Sequence, residues 1–135
     1  MRKETITYED FDGNEKTKDL YFHLTEAEIT VLNLSENGKY ASFDKDNAGD
    51  NLADTIRLFE KLIQKAYGQK TEDGMFIKSE KAREAFLCSP EYSELLTKFI
   101  SGEINPGEFI IDCLPKKLSK KIEVKDGQIK LLEDK

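Results

Sequence analysis

Residues 5–29 read TITYEDFDGNEKTKDLYFHLTEAEI, and this stretch decides the fold. Ile6 and Tyr8 alternate with Thr5, Thr7 and Glu9, and Leu20, Phe22 and Leu24 alternate with Tyr21 and His23. A period of two marks half-buried strands. Between the two runs, Asp12-Gly13-Asn14 supplies residues that tolerate positive φ, as a tight hairpin turn requires. Parity then selects the register. A two-residue Asp12-Gly13 loop sets Ile6 opposite Asp19 and mixes apolar with polar positions. A three-residue loop, Asp12 to Asn14, sets Ile6 opposite Leu20 and Asp10 opposite Lys16, so one face stays apolar. The second register is expected. Thr25-Glu26-Ala27-Glu28 closes the stretch as a capping box, which starts a helix running to about Asn33. Ile29 and Leu32 are expected to face the core, with Val31 a further candidate.

Downstream the grammar turns helical. Residues 35–51 hold no Leu, Ile or Val. They read as a long polar connection that is either mobile or pinned by Tyr40 and Phe43. Leu52, Ile56, Phe59, Ile63 and Ala66 then recur with helical spacing, and Leu62 widens the stripe. Asp50 or Asn51 can cap that helix, and Gly68 stands where a left-handed C-cap belongs. A turn at Asp73-Gly74 leads to Phe76-Ile77, and Ser79 opens a short helix to about Phe86 or Leu87. Ser89-Pro90 starts another helix, with Ser89 as N-cap and Pro90 in its first turn. That helix carries Tyr92, Leu95, Leu96, Phe99 and Ile100 on one stripe and stops at Gly102. Asn105-Pro106 repeats the same start for a last helix through Leu114. In the tail, Ile122–Lys125 and Gln128–Leu131 flank Asp126-Gly127, which reads as a two-residue hairpin loop. Val124 then pairs with Ile129, Ile122 with Leu131 and Glu123 with Lys130. The competing reading is a flexible lysine-rich tail. The expected fold is α+β: an N-terminal β-hairpin packed on a small α-helical bundle, with a C-terminal β-hairpin. Residues 1–114 are expected to form one α+β domain, and residues 115–135 a basic C-terminal segment.

Composition narrows the function. The chain has 135 residues, enough for one domain with an ordinary core. No apolar run approaches the roughly 18 residues of a membrane span, and the first residues lack a signal-like apolar stretch. Cys88 and Cys113 are too few for a disulfide framework and are expected to be reduced. The formal net charge is −6, and Arg2, Arg57 and Arg83 are the only arginines. Base reading leans on arginine forks, so nucleic acid is not an expected partner. Charge is also uneven. Residues 1–114 carry 14 basic and 23 acidic side chains, against 7 and 4 in residues 115–135. An acidic body therefore bears a short basic tail.

Catalytic raw material is thin. His23 is the only histidine and sits in a strand-like run, where it reads as a rim residue. A Cys–His nucleophile would need Cys88 or Cys113 beside it, and neither cysteine has a local signature for that role. Asp44-Lys45-Asp46-Asn47-Ala48-Gly49-Asp50 imitates a calcium loop. However, Ala48 and Thr55 stand where two of its oxygen ligands belong, so it reads as a solvated loop. There is no phosphate-binding glycine loop, CxxC or HExxH. No cofactor, metal or catalytic residue is expected, and the chain reads as a non-enzyme.

Several segments resemble one family. Ile6-Thr7-Tyr8-Glu9-Asp10-Phe11-Asp12-Gly13, Leu20-Tyr21-Phe22-His23-Leu24-Thr25-Glu26-Ala27-Glu28, Ile63-Gln64-Lys65-Ala66-Tyr67-Gly68, Phe76-Ile77-Lys78-Ser79 and Tyr92-Ser93-Glu94-Leu95 occur in order. Together they resemble the short tail assembly chaperones of long-tailed phages and prophages of Gram-positive bacteria. After Gly102 the chain departs from that pattern.

The resemblance implies a protein that binds the phage tape measure protein and keeps it soluble while tail tube subunits polymerise around it. It also implies contacts with the tail tube protein and with a longer frameshifted form of the chain. It places the protein in the bacterial host cytoplasm and outside the finished virion. The alternative is a structural or connector component of the tail, which would persist in the particle. The partner-binding residues expected from sequence are Phe99, Phe109 and Ile110, because they flank the Gly102–Pro106 break and compete for space inside.

Overall fold

The computed structural model describes residues 1–40, 48–116, 122–125 and 128–131, with backbone alone for 48–52, 122–125 and 128–131. Strands β1 (Arg2–Glu9) and β2 (Glu15–Phe22) form the opening hairpin, followed by α1 (Glu26–Ser35) and α2 (Ala48–Ala66). Then come β3 (Tyr67–Lys70), β4 (Phe76–Ile77), α3 (Glu80–Leu87), α4 (Pro90–Ser101) and α5 (Pro106–Cys113). Strands β5 (Ile122–Lys125) and β6 (Gln128–Leu131) close the order. The architecture is α+β. One antiparallel sheet has the order β1-β2-β3-β4, and β5-β6 form a separate ladder.

The opening hairpin keeps the expected parity but slips by two residues. Ile6 lies opposite Lys18 and Glu4 opposite Leu20, so the loop spans Asp10 to Asn14. The turn's own chemistry explains the slip. The Asp10 carboxylate accepts from the amides of Asp12 and Asn14 at 3.0 and 2.8 Å, and its amide donates to the Asn14 carbonyl at 2.8 Å. Gly13 supplies the positive φ, at 83°. A slip of two preserves the faces, so hydrophobic patterning alone does not resist it. Ile6, Leu20 and Phe22 still point inward and are fully buried.

Cap signals located the helix starts. Thr25, Ser79, Ser89 and Asn105 each accept an amide hydrogen bond from the first turn of their helices, and Gly102 ends α4 with φ 89°. The start of α2 departs from expectation: it begins at Ala48, so Asp50 and Asn51 lie within it. Its inward stripe holds Leu58, Phe59, Leu62, Ile63 and Ala66, all buried. The C-cap expected at Gly68 is absent. The chain passes directly from Ala66 into β3, and Gly68 pairs with Tyr21 there without a positive φ. Glycine is required for a different reason: a Cβ would stand 2.5 Å from Cζ of Phe76.

Tyr40 anchors the described beginning of the polar connection. It is buried, and its hydroxyl donates to the Leu58 carbonyl at 2.6 Å. Phe43 and most of the calcium-like loop lie outside the described residues. The tail ladder has the expected register, with Val124 opposite Ile129, and β5 approaches α5.

Aromatic rings organise the core. Phe59 stacks on Phe99 at 3.9 Å and meets Phe109 edge-on at 5.3 Å. Phe22 contacts Phe109, Tyr67 and Phe86, and Tyr67 stacks on Phe86 at 4.0 Å. These contacts tie β2, α2, α3, α4 and α5 into one cluster.

Candidate interaction surface

The three residues expected to meet a partner are inside. Phe99 and Phe109 hold the aromatic cluster together, and Ile110 packs beside them, with relative exposures of 5%, 0% and 2%. The Gly102–Pro106 break does not push them outward. The left-handed Gly102 and the Asn105 cap fold α5 back, so Tyr92, Leu95 and Phe99 of α4 meet Phe109 and Ile110 of α5 in one core, while Ile100, expected on the same stripe, stays exposed.

Exposed large apolar side chains include Phe11 in the hairpin loop, Ile100 near the end of α4, and two on one helix, Val31 and Leu34. Val31 is 61% and Leu34 73% exposed. Both belong to α1, which has no fully buried residue. Helical geometry gives the reason. At about 100° per residue, Ile29 and Leu32 share one face, while Val31 and Leu34 lie on the opposite one. Ile29 and Leu32 pack partly against the core. The core therefore uses one face of an element that is apolar on two, and the expectation that Val31 faces inward fails. This signal was present in the sequence, since a helix apolar on both faces must either be sandwiched or present one of them.

Caps and one ion pair anchor the ends of α1. Glu28 donates from its amide to the Thr25 hydroxyl at 3.2 Å, and the Thr25 amide donates to the Glu28 carboxylate at 3.0 Å. Lys78, just after β4, donates to both Glu28 oxygens at 2.8 and 2.9 Å. Burial works against the Glu28 charge, but Lys78 and the Thr25 amide outweigh it and hold the carboxyl below its ordinary value. At the far end Asn37 and Gly38 take positive φ, and the Gly38 amide donates to the Asn33 carbonyl at 2.8 Å. Beside α1 lies an open depression of about 230 Å³, bordered by Leu32, Glu36, Lys61, Lys65 and Arg83. Glu36 gathers Lys61 and Arg57 at 2.6 and 3.1 Å, so this rim is rich in cations.

His23 Nδ1 is buried and has no hydrogen-bond partner, and its ring sits edge-on to Phe76. Burial, the nearby N-terminus and Lys78 lower its proton affinity despite Glu28. Cys113 is fully buried, and burial pushes its thiol up, the reverse of nucleophile activation. Among the described residues no three His, Cys, Asp or Glu side chains gather as metal ligands, and no helix is long and apolar enough to cross a membrane.

A family model described as phage tail assembly chaperone matches residues 1–134. Comparison with curated proteins and with solved structures gives no match.

Proposed function

Because the chain belongs to the phage tail assembly chaperone family, we propose that its client is the tape measure protein, held soluble until tail tube subunits enclose it. The observation that carries this reading is the outer face of α1. Val31 and Leu34 are exposed on a helix whose opposite face packs partly on the core and whose first turn is capped by Thr25 and tied to Lys78. Such a pre-set apolar ledge suits the apolar stripe of an amphipathic helix, which it can cover without reorganising. Full burial of one aliphatic side chain is worth roughly 1.5–3 kcal/mol, so two form a modest, releasable grip. Release matters, because a holding protein must yield its client to the growing tube. The net charge of −6 keeps the pair dispersed. The role is non-catalytic and belongs to the host cytoplasm, outside the finished virion. The tail tube protein and a longer frameshifted form of the chain are further partners.

Co-expression with the cognate tape measure protein tests this. A soluble, co-purifying complex is expected. Val31→Glu with Leu34→Glu should return the client to the insoluble fraction while leaving the chaperone's own unfolding curve unchanged. A client that stays insoluble with the wild-type chain overturns the assignment. Recovery of the chain in purified virions would favour a structural component instead.

A further inference from the structure

The outer side of α1 carries more than Val31 and Leu34. Ala27, Val31 and Leu34 recur at i, i+4 and i+7, all exposed and uncharged, so they form one apolar stripe. Ser35, one turn beyond Val31, is exposed and also lines the depression bordered by α1, α2 and Arg83 of α3. Stripe and depression therefore adjoin along the same helix.

The depression reverses the charge of its surroundings. Its lining holds Lys61, Lys65 and Arg83 against Glu36 alone, on a body in which residues 1–114 carry 23 acidic and 14 basic side chains. Glu36 engages Lys61 and, from outside the lining, Arg57. Lys65 and Arg83 make no ion pair among the described residues. Arg83 has one structural task. Its Nε donates to the Gln64 carbonyl at 2.8 Å, in the last turn of α2, where a cation also answers the helix dipole. The two terminal nitrogens of its guanidinium make no hydrogen bond among the described residues. A planar fork of this kind matches a carboxylate.

We propose that the client segment is an acidic amphipathic helix. Its apolar stripe lies on Ala27, Val31 and Leu34, and a carboxylate flanking that stripe is held by Arg83 and Lys65. This rests on the reading of α1 as the client-binding face and adds the chemistry that the face selects. Packed helices stand about 8–10 Å apart, so a Glu on the client's flank is within reach of the depression. The stripe supplies the grip, while the cations fix orientation and disfavour a basic flank. The net charge of −6 by itself attracts basic clients. A preference for acidic flanks therefore has to come from this local reversal of sign.

An amide NMR titration of the full chain reads both affinity and place. The probes are three synthetic helical peptides that share one leucine stripe and carry Glu, Gln or Lys on its flank. The Glu peptide should bind roughly three- to tenfold more tightly than the Gln peptide, and the Lys peptide more weakly than either. Its shifts should cover α1 together with Lys65 and Arg83. Salt at about 1 M should erase the ranking. Lys65→Glu, at an exposed site, should abolish the advantage of the Glu peptide, and Arg83→Gln should remove most of it. Circular dichroism checks that each variant folds. Val31→Glu with Leu34→Glu should weaken all three peptides. If the peptides bind through Val31 and Leu34 with equal affinity, or with a ranking that Lys65→Glu leaves unchanged, the proposal is overturned and the reading of α1 stands. If none of the three binds at Val31 and Leu34, both fall together. Shifts in α1 that grow with the chain's own concentration assign the face to a second copy and also overturn the proposal.

Discussion

Gly68 offers the sharpest test of the packing argument. Replacing it with Ala would place a methyl 2.5, 2.8 and 2.9 Å from Cζ, Cε2 and Cε1 of the Phe76 ring. Carbon atoms prefer about 3.5–4.0 Å, so the methyl arrives roughly 1 Å too close. The ring is the end of a side chain and can swing aside, but it then gives up its edge contact with His23 at 6.3 Å. Overpacking of this kind costs about 1–3 kcal/mol. The backbone at Gly68 is not left-handed, so the cost belongs to the ring and not to φ. In a Phe76→Ala background the same Gly68→Ala change should therefore be neutral, or stabilise by about 0.4–1 kcal/mol through the unfolded chain. Urea unfolding of the four proteins of this cycle, at constant m-value, gives the coupling directly. Gly102→Ala serves as the contrast, because φ 89° makes that glycine a true left-handed cap. Its cost of about 1 kcal/mol should not change with Phe76. If Gly68→Ala costs the same with and without the ring, the steric account is wrong and the position acts through its backbone.

Two further outcomes follow from buried and paired polar groups. Tyr40→Phe removes the hydroxyl that donates to the Leu58 carbonyl at 2.6 Å, and urea unfolding should show a loss of about 1–3 kcal/mol. Glu36 is hydrogen-bonded first by Lys61 and then by Arg57, against the effect of burial, and its carboxyl is held below its ordinary 4.5. A depressed carboxyl stabilises the folded state above its unfolded pKa and loses that contribution as pH falls through the folded value. Melting temperature against pH should accordingly fall below about pH 4.5, and the slope should flatten in Glu36→Gln.

Local chemistry was legible in the chain because it acts over a few residues. Four N-caps, the Gly102 stop, the tail register and the facing of strand residues all follow from side chains within one turn or one hairpin. Gly13 was readable for the same reason, although the Asp10 carboxylate lengthened its loop beyond what the glycine implied. The resemblance to tail assembly chaperones also rested on short ordered segments, and the family match covers those same segments and the chain after Gly102.

What the sequence left undecided are choices between equivalent local answers. A period of two admits a slip of two, and only the Asp10 turn contacts and cross-strand partners such as Thr7 and Thr17 select the observed register. Gly68 suits a cap or a close approach equally well, until Phe76 arrives from another strand. Phe99, Phe109 and Ile110 are apolar beside a break, and nothing local says whether the break opens or closes. The aromatic stack with Phe59, from a helix some forty residues earlier, draws them inside. α1 is the converse case. Its sequence supplies two apolar faces, and the tertiary fold has room for one. Periodicity records what a residue can bury, while burial itself depends on which distant surface claims it first.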